Sequence, residues 1–389
     1  AQGSGHGAVA LGPLDETILI KTERLRGVEI DPGTQTARVE AGVLGGELGA
    51  AAQKHGLSSM PGSSPDVGVI GYTLGGGLSW LGRRHGFACN RVDAIELVTA
   101  EGEAKLVDAD NDFDLFWALR GGGGAYAIVT ALHLRLLSIA ELYAGTLILP
   151  AEVGADAVRA YSDWAATVPD EVSSVVRFLR PPPLPDVPEP LRDRPLLTIG
   201  AACIGTKEEG EEIVAPLREI GEPIMDMIGQ IPAEGLTRIH MDPEQPVPGL
   251  GDHRLIGELS DEAIEAFVGA AGPESGSPLL LTELRQLGGA LARPAESAGA
   301  LDKLDAAFAM FSVGMPMTPE LGEAIKTYQD HQSEEMQPWA IDGGFFNFVE
   351  RPGPIEAIMP AETCERLREI KQRWDPDGVI RANHELSAA

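Results

Sequence analysis

The apolar pattern of the first 140 residues predicts short strands with few helices. Apolar and polar residues alternate over residues 36–41, 92–100 and 129–136, and this two-residue period predicts β-strands. Residues 17–31 contain two further β-rich runs. The alanine-rich residues 44–55 carry apolar positions at helical spacing and predict a helix. This part of the chain is therefore predicted to be an α+β domain rather than a series of βαβ units.

The pattern changes after residue 150 and predicts a second domain. Strands are predicted at residues 172–179, 196–204, 279–284 and 306–313, with helices at 151–167 and 207–220. The proline-rich residues 180–195 cannot pair as a strand and predict an exposed loop. One sheet flanked by helices is the simplest arrangement of these elements.

Composition and charge exclude several classes of function. The 389 residues are 43% hydrophobic and 23% charged, which is typical of a folded globular protein of this size. The net charge of −29 repels phosphate backbones, so we expect no nucleic-acid partner. No apolar run approaches the roughly 20 residues of a membrane helix, and we expect no membrane association. The chain does not start with Met, so its first residue gives no firm indication about export.

The cysteine and histidine pattern gives no sign of a metal site. Cys89, Cys203 and Cys364 are odd in number and far apart, which argues against a disulfide framework and is compatible with the cytoplasm. The sequence contains no Cys-x-x-Cys or His-Glu-x-x-His spacing. We therefore predict no metal and a cytoplasmic location.

Candidate chemistry is concentrated in the loop of residues 61–77. Its glycines allow a backbone to approach a ligand closely, and its bare N–H groups favour an anion. No lysine is present, so this is not a nucleotide loop of the Walker type. Residues 1–8 and 119–130 form two further glycine-rich segments, and the first of these has His6 at its centre.

These segments, in this order, resemble the flavin-binding domain of the berberine-bridge-enzyme-like FAD-linked oxidases of the vanillyl-alcohol oxidase superfamily. The resemblance rests on Gly-Ser-Gly-His-Gly at residues 3–7, on Gly-Ser-Ser-Pro-Asp-Val-Gly-Val-Ile-Gly-Tyr-Thr-Leu-Gly-Gly-Gly at residues 62–77, and on Asp-Leu-Phe-Trp-Ala-Leu-Arg-Gly-Gly-Gly-Gly at residues 114–124. Residues 366–383 resemble the closing segment of the same family.

The resemblance implies a fold and a division into domains. It implies an α+β chain with an FAD-binding domain of the PCMH type at residues 1–145 and a substrate-binding domain, an antiparallel sheet flanked by helices, at 146–345. Residues 346–389 are expected to return to the FAD domain. Family members carry further strands ahead of the first glycine turn, so we expect that the N-terminal part of this domain is missing here.

The resemblance also assigns the cofactor, FAD. In the family, the histidine of the first turn is bonded to the 8α carbon of the flavin, and this role is carried over to His6. Ser64 stands where many members have a cysteine that forms a second tether, so we expect attachment through one residue. The predicted cofactor-binding residues are Gly3, Ser4, Gly5, His6, Gly7, Gly62, Ser63, Ser64, Val67, Gly68, Gly71, Tyr72, Gly75, Gly76, Gly77, Ile128 and Asn347.

The implied reaction is an oxidation of a hydroxylated small molecule, with hydride transfer to flavin N5. Val67 occupies the position that controls oxygen access in the family, and a valine there is associated with access. We therefore expect O₂ as electron acceptor and hydrogen peroxide as product. A flavin dehydrogenase with another acceptor and a degenerate, non-catalytic flavin-binding protein are the alternatives. A Rossmann-type enzyme is disfavoured because no strand precedes Gly3 in this sequence.

The catalytic base is the least determined part of the site. The family often has a tyrosine where this chain has Phe345, and phenylalanine cannot accept a proton. Tyr72, Tyr126 and Glu283 are the predicted candidates, with Asp342 as a further one. Tyr72 ranks first because it lies within the predicted flavin loop. Glu283 alternates with Arg285, and an exposed ion pair is the alternative interpretation of that pair.

Overall fold

The first sheet of the protein has five antiparallel strands. The computed structural model describes residues 1–11, 14–185, 187–243, 247–384 and 386. The strands pair in the order β1-β2-β5-β3-β4. They are β1 (Val28–Asp31), β2 (Thr36–Glu40), β3 (Val92–Val98), β4 (Ala104–Asp108) and β5 (Ile128–Arg135).

The strands predicted from alternation in this region are confirmed, with one exception. The second β-rich run forms β1 and pairs with β2, since Val28 lies opposite Val39. The earlier apolar run, by contrast, forms only one isolated bridge, between Gln2 and Lys21, and Ile18 is 89% exposed. A β-rich run becomes a strand only where a neighbouring strand pairs with its backbone N–H and C=O groups. Among the described residues, no strand lies beside this run.

Four helices connect these strands: α1 (Gly45–Gln53), α2 (Val69–Leu74), α3 (Gly82–His85) and α4 (Phe113–Ala118). The first confirms the helix predicted at residues 44–55. The second lies inside the loop of residues 61–77, where no helix was predicted. It forms because Val69, Ile70, Thr73 and Leu74 all bury their side chains.

The second sheet has nine antiparallel strands. Eight of them pair in the order β10-β6-β8-β7-β12-β13-β11-β14, and β9 pairs with β6. They are β6 (Glu141–Pro150), β7 (Val172–Leu179), β8 (Leu196–Cys203), β9 (Met225–Asp226), β10 (Gly229–Pro232), β11 (Leu250–Ile256), β12 (Leu281–Gln286), β13 (Phe308–Gly314) and β14 (Ala340–Ile341). The predicted boundary between residues 145 and 146 falls inside β6.

The described part of the chain has five further α-helices: α5 (Gly154–Thr167), α6 (Lys207–Arg218), α7 (Asp261–Ala271), α8 (Pro319–Met336) and α9 (Ala361–Trp374). The last of these returns to the first sheet, because Cys364 and Leu367 share a core with Leu115 of α4. The predicted fold class, α+β with a second antiparallel sheet flanked by helices, is therefore confirmed.

Candidate functional site

Three glycine-rich segments that are distant in sequence meet in the structure. The backbone N–H of Gly68 donates to the hydroxyl oxygen of Ser4 over 3.0 Å. The backbone N–H groups of Gly121 and Gly123 donate to the carbonyl oxygen of Leu74 over 3.0 and 2.9 Å. The first and third segments therefore both contact the second one, residues 61–77.

The second segment is also joined to the C-terminal part of the chain. Asn347 accepts a hydrogen bond from the backbone N–H of Gly77 over 2.9 Å. A Cβ atom at Gly75 would overlap the amide of Asn347, so only a glycine allows this packing. Gly76 has φ +116°, and a Cβ atom there would overlap the side chains of Leu301 and Phe345.

His6 is held at this junction by a carboxylate. Its Nε2 atom lies 3.1 Å from Oδ2 of Asp66, and its side chain is 47% exposed. The other oxygen of Asp66 accepts a hydrogen bond of 2.6 Å from Ser64. Asn383, in the C-terminal segment, donates to the backbone carbonyl of Gly7, next to His6. Asp66 thus contacts both His6, the predicted attachment residue, and Ser64, which stands where many family members have a second attachment residue.

A cavity of about 490 Å³ runs along the second segment. Four of the predicted binding residues line it: Gly62, Ser64, Val67 and Tyr72. Arg91 reaches the same cavity and brings a cationic group to its wall.

Two features of the second segment fit FAD. A Cβ added at Gly71 would meet nothing within 4 Å, so this backbone faces open space. The phenol oxygen of Tyr72 is buried without a hydrogen-bond partner among the described residues, which leaves a donor for a ligand atom. Small residues and a phenol without a hydrogen-bond partner suit a flat aromatic ring system.

The remaining predicted binding residues lie in or beside the three segments, and their role in binding stays a prediction. Gly3 is exposed near the carbonyl of Ala41, and Gly5 adopts φ +94°. Ile128 begins β5 and lies opposite Val98.

Tyr126 and Tyr72 both have a phenol that stays protonated at neutral pH. Tyr126 is fully buried in the core that the first sheet shares with α9, and burial raises the pKa of its phenol. Burial also raises the pKa of Tyr72, against the opposing effect of the Arg285 charge. The role of either tyrosine as base stays a prediction. Asp342 is exposed at the surface.

Glu283 differs from the expected exposed ion pair, because its side chain is completely buried. It lies on β12 in the middle of the second sheet, with β7 and β13 on either side. Its Oε2 is 2.6 Å from Nε2 of His240, and its Oε1 accepts a hydrogen bond of 2.5 Å from Nε of Arg285. Burial raises the pKa of Glu283, but the charges of Arg285, His240 and Arg177 outweigh it and lower that pKa to about 2.

These contacts belong to a closed ring of side chains that joins the second glycine-rich segment to the second sheet. Ser63 donates to Oδ2 of Asp242 over 3.2 Å, and Oδ1 of Asp242 lies 2.5 Å from Nδ1 of His240. From His240 the ring continues through Glu283 to Arg285. Nη2 of Arg285 closes it by donating to the Ser63 hydroxyl over 3.2 Å. We call these five residues the Ser63 ring.

A second cavity, of about 290 Å³, adjoins the Ser63 ring. It lies between residues 78–80, which follow the second segment, and strands β7 and β12. Arg285 belongs to both the ring and this cleft, and Trp80 and Gln286 are among its other walls. The indole Nε1 of Trp80 is buried without a hydrogen-bond partner among the described residues.

Sequence reasoning did not identify Asp66, His240 or Asp242. Asp66 is the charged residue of an otherwise uncharged motif at residues 62–77, and this was the available signal. His240 and Asp242 form a His-x-Asp pair in an irregular segment. Nothing in the local pattern indicates that β12 lies against this pair.

Across the described residues, no helix has both the length and the apolar character required to cross a bilayer. No set of three or more His, Cys, Asp or Glu side chains in the same residues is arranged to hold a metal ion.

Comparisons with known proteins agree with the geometry. Residues 1–108 match the family model of an FAD binding domain. The chain is 24% identical over 397 residues to (R)-6-hydroxynicotine oxidase of Paenarthrobacter nicotinovorans, covering 98% of this chain and 84% of that protein.

Solved structures share the fold over nearly the whole chain. A variant of the BBE-like 1 protein of Physcomitrella patens superimposes with a TM-score of 0.84 at 19% identity, covering 100% of this chain and 86% of the other. Phl p 4, a grass pollen allergen, superimposes with a TM-score of 0.76 at 19% identity, covering 94% and 79%. Wild-type Phl p 4 is named a glucose dehydrogenase, and a valine-for-isoleucine variant of it a glucose oxidase.

The glycine segments, the matched FAD binding domain and the shared fold lead to one assignment. Residues 1–108 form an FAD binding domain, and the chain is an FAD-dependent oxidoreductase that shares its fold with a BBE-like protein of Physcomitrella patens.

Proposed function

We propose that this protein is an oxidase that takes a hydride from a C–H bond of a hydroxylated small molecule and passes the electrons to O₂. The substrate loses a hydride and a proton, and O₂ gains two electrons and two protons to give hydrogen peroxide. When bound, FAD supplies the hydride acceptor at its N5 atom and the route of two electrons to O₂.

The observation that carries this proposal is the contact at Ser63. This residue belongs to the segment predicted to hold the flavin, and its hydroxyl contacts both Asp242 and Arg285 of the second domain. A substrate in the adjacent cleft therefore meets both domains.

Glu283 is ionised at neutral pH, whereas the two tyrosines are not. Both of its oxygens are held, by His240 and by Arg285, and it does not line the cleft. We therefore assign to Glu283 the role of holding Arg285, which lines the cleft, and we assign no residue as the base.

His6 would hold the cofactor covalently. Joining an imidazole nitrogen to the 8α methyl carbon removes two hydrogens, which O₂ takes up as hydrogen peroxide. Asp66 would orient the imidazole for this bond, since it already contacts Nε2. The side chain of Ser64 ends in a hydroxyl and cannot form a thioether with the flavin, so we expect covalent attachment through one residue.

The main alternative is a dehydrogenase that excludes O₂. The same fold accommodates both activities, as the names of Phl p 4 and its valine variant show for that protein. Val67 lines the cavity of this chain, and its small side chain favours oxygen access.

A test that needs no substrate separates the two. The purified protein is reduced with dithionite without oxygen, freed of excess reductant and mixed with aerated buffer. The oxidase proposal predicts rapid recovery of the oxidised spectrum with one hydrogen peroxide per flavin. Slow recovery, together with rapid oxidation by dichlorophenolindophenol, supports the dehydrogenase. A purified chain that binds no flavin when FAD is added supports the degenerate alternative.

A further inference from the structure

A turn at residues 345–348, which we call the Phe345 turn, contacts two of the three glycine-rich segments. A Cβ atom at Gly123, in the third segment, would overlap the ring of Phe346, so the two residues are in close contact. Asn347 accepts the hydrogen bond of 2.9 Å from the backbone N–H of Gly77, which belongs to the second segment. The position of this turn therefore affects the shape of both segments.

His253, on β11 of the second sheet, holds the beginning of the Phe345 turn. The backbone N–H of Phe345 donates to its Nε2 over 3.0 Å, and its Nδ1 lies 2.8 Å from the carbonyl oxygen of Met310 on β13. A backbone N–H only donates and a carbonyl oxygen only accepts, so these partners require a bare Nε2 and a protonated Nδ1. Burial also lowers the pKa of His253 to about 4. The imidazole is therefore neutral at pH 7, and both of its nitrogens are bonded to the main chain.

Aromatic side chains connect this link to the cleft. The ring of Phe348, the last residue of the turn, lies edge-on to the imidazole of His253, with the centroids 5.6 Å apart, and it stacks on Phe311 at 4.9 Å. The guanidinium carbon of Arg285 lies 5.2 Å from the centroid of the same Phe348 ring. The Phe345 turn thus lies between a residue of the cleft wall and the segments predicted to hold the flavin.

We propose that His253 is a positioning residue that anchors the Phe345 turn to the second sheet, and that Asn347 in this turn fixes Gly77 in the segment predicted to hold the flavin. Phe345 is completely buried, and among the described residues Nε2 of His253 is the acceptor of its N–H. Loss of the imidazole would leave this buried donor without a partner, so the turn would shift. The proposal concerns the cofactor segments and does not depend on the reaction with O₂.

Hydrogen exchange of the full chain, followed by nuclear magnetic resonance, tests this anchoring without substrate. With ¹⁵N-labelled histidine at pH 7.5, His253 is expected to show a neutral imidazole with its proton on Nδ1. In His253→Phe, the amides of Phe345 and Gly77 should exchange with water faster by about tenfold or more, because both lose protection when the turn opens. Tyr328→Phe is the matched control, since the Tyr328 hydroxyl also donates to a main-chain carbonyl, that of Ala270 over 3.0 Å, but from α8. It should leave both amides unchanged.

A second variant separates the hydrogen bond from general packing. In His253→Gln, the side-chain amide oxygen takes the place of Nε2 and accepts from Phe345, so slow exchange of both amides should return. The affinity for FAD is expected to follow the same order. The initial, acid-labile binding of FAD to the cofactor-free chain should be about tenfold weaker in His253→Phe and close to wild type in His253→Gln, because a displaced segment must be reordered on binding.

A proton on Nε2 of His253 at pH 7.5 would overturn the proposal. Faster exchange at Phe345 with unchanged exchange at Gly77 would also overturn it, because the turn would then not fix the glycine segment. The same holds if His253→Gln fails to restore slow exchange, or if both variants bind FAD as tightly as wild type.

If His253→Phe does not fold, Asn347→Ala decides the matter from the other end of the link. This variant releases the turn from Gly77, so exchange at the Phe345 amide should become faster, and unchanged exchange would overturn the proposal. A chain that binds no FAD in any form would contradict the proposed function, whereas the exchange rates would still test His253. The two failures can therefore be told apart.

Discussion

The imidazole of His6 and the carboxylate of Asp66 form a close pair, with Nε2 3.1 Å from Oδ2. The same carboxylate accepts a hydrogen bond from Ser64 through its other oxygen. Because Asp66 is fixed by Ser64, it fixes the imidazole in turn. The histidine predicted to bind the flavin is thus already oriented by the second glycine segment.

Replacing Asp66 by asparagine should slow formation of the flavin tether. The variant keeps the shape of the side chain but loses the charge, and hydrogen bonds to charged groups contribute about 1.5–3 kcal/mol, so we expect attachment to slow by about tenfold or more. The measurement is the growth of acid-stable flavin after FAD is added to the purified chain. Asp156→Asn, at a side chain that is 99% exposed, is the control. Equal rates in both variants would show that Asp66 does not orient His6.

Removing the hydroxyl of Tyr72 should not destabilise the cofactor-free protein. That hydroxyl is buried without a partner among the described residues, and such a group costs about 1–3 kcal/mol. Tyr72→Phe should therefore raise the free energy of unfolding by roughly 1 kcal/mol in urea denaturation. Tyr161→Phe is the matched comparison, because the Tyr161 hydroxyl is 2.9 Å from Ser174, and it should lower that free energy by about 1 kcal/mol. A loss of stability in Tyr72→Phe equal to that in Tyr161→Phe would indicate a partner for Tyr72.

A larger side chain at Val67 should slow the reaction with oxygen. Val67 lines the cavity along the second segment, and an added methyl group in Val67→Ile narrows it. We expect the dithionite-reduced protein to react with O₂ more slowly by about tenfold, which corresponds to about 1.4 kcal/mol of added barrier. The rate with dichlorophenolindophenol should stay the same. Val379→Ile, at a side chain that is 66% exposed, serves as control. Equal slowing with both acceptors would point to a displaced flavin instead of a closed oxygen path.

The third glycine segment should tolerate no side chain at Gly121. This residue has φ +99°, and a Cβ atom there would overlap Leu301. Backbone strain and overpacking together should lower the free energy of unfolding of Gly121→Ala by roughly 3 kcal/mol or more. Gly102 has φ +84° but open space around it, so Gly102→Ala should cost only about 1 kcal/mol. Urea denaturation of both variants makes the comparison, and equal losses would show that the contact with Leu301 is unimportant.

The pattern of apolar and polar residues predicted most of the strands but not all of them. Strand β6 was missed because eight consecutive residues are buried, so its sequence does not alternate. Helix α2 was missed because glycines lie at both of its ends, and a glycine-rich stretch is typical of a loop. In both cases tertiary packing determines a structure that the local pattern does not show.

The site could be predicted only where its residues lie in one motif. His6 and the second glycine segment were found because their spacing is recognisable. Glu283 was named as a candidate, and its alternative interpretation, an exposed ion pair, does not hold, because β12 lies between β7 and β13 and the sequence does not show this. The contacts of His240 with Glu283 join residues 43 positions apart, and no local pattern indicates that proximity.

The most direct test of the whole account is a peptide map of the FAD-loaded protein by mass spectrometry. We predict that the flavin is found on the peptide that contains His6, and that none remains bound after acid precipitation of His6→Ala, while His331→Ala, at an exposed histidine, keeps it. Flavin that is released completely from the wild-type chain by acid, or that is attached to another peptide, would contradict the assignment of His6 as the residue that holds the cofactor.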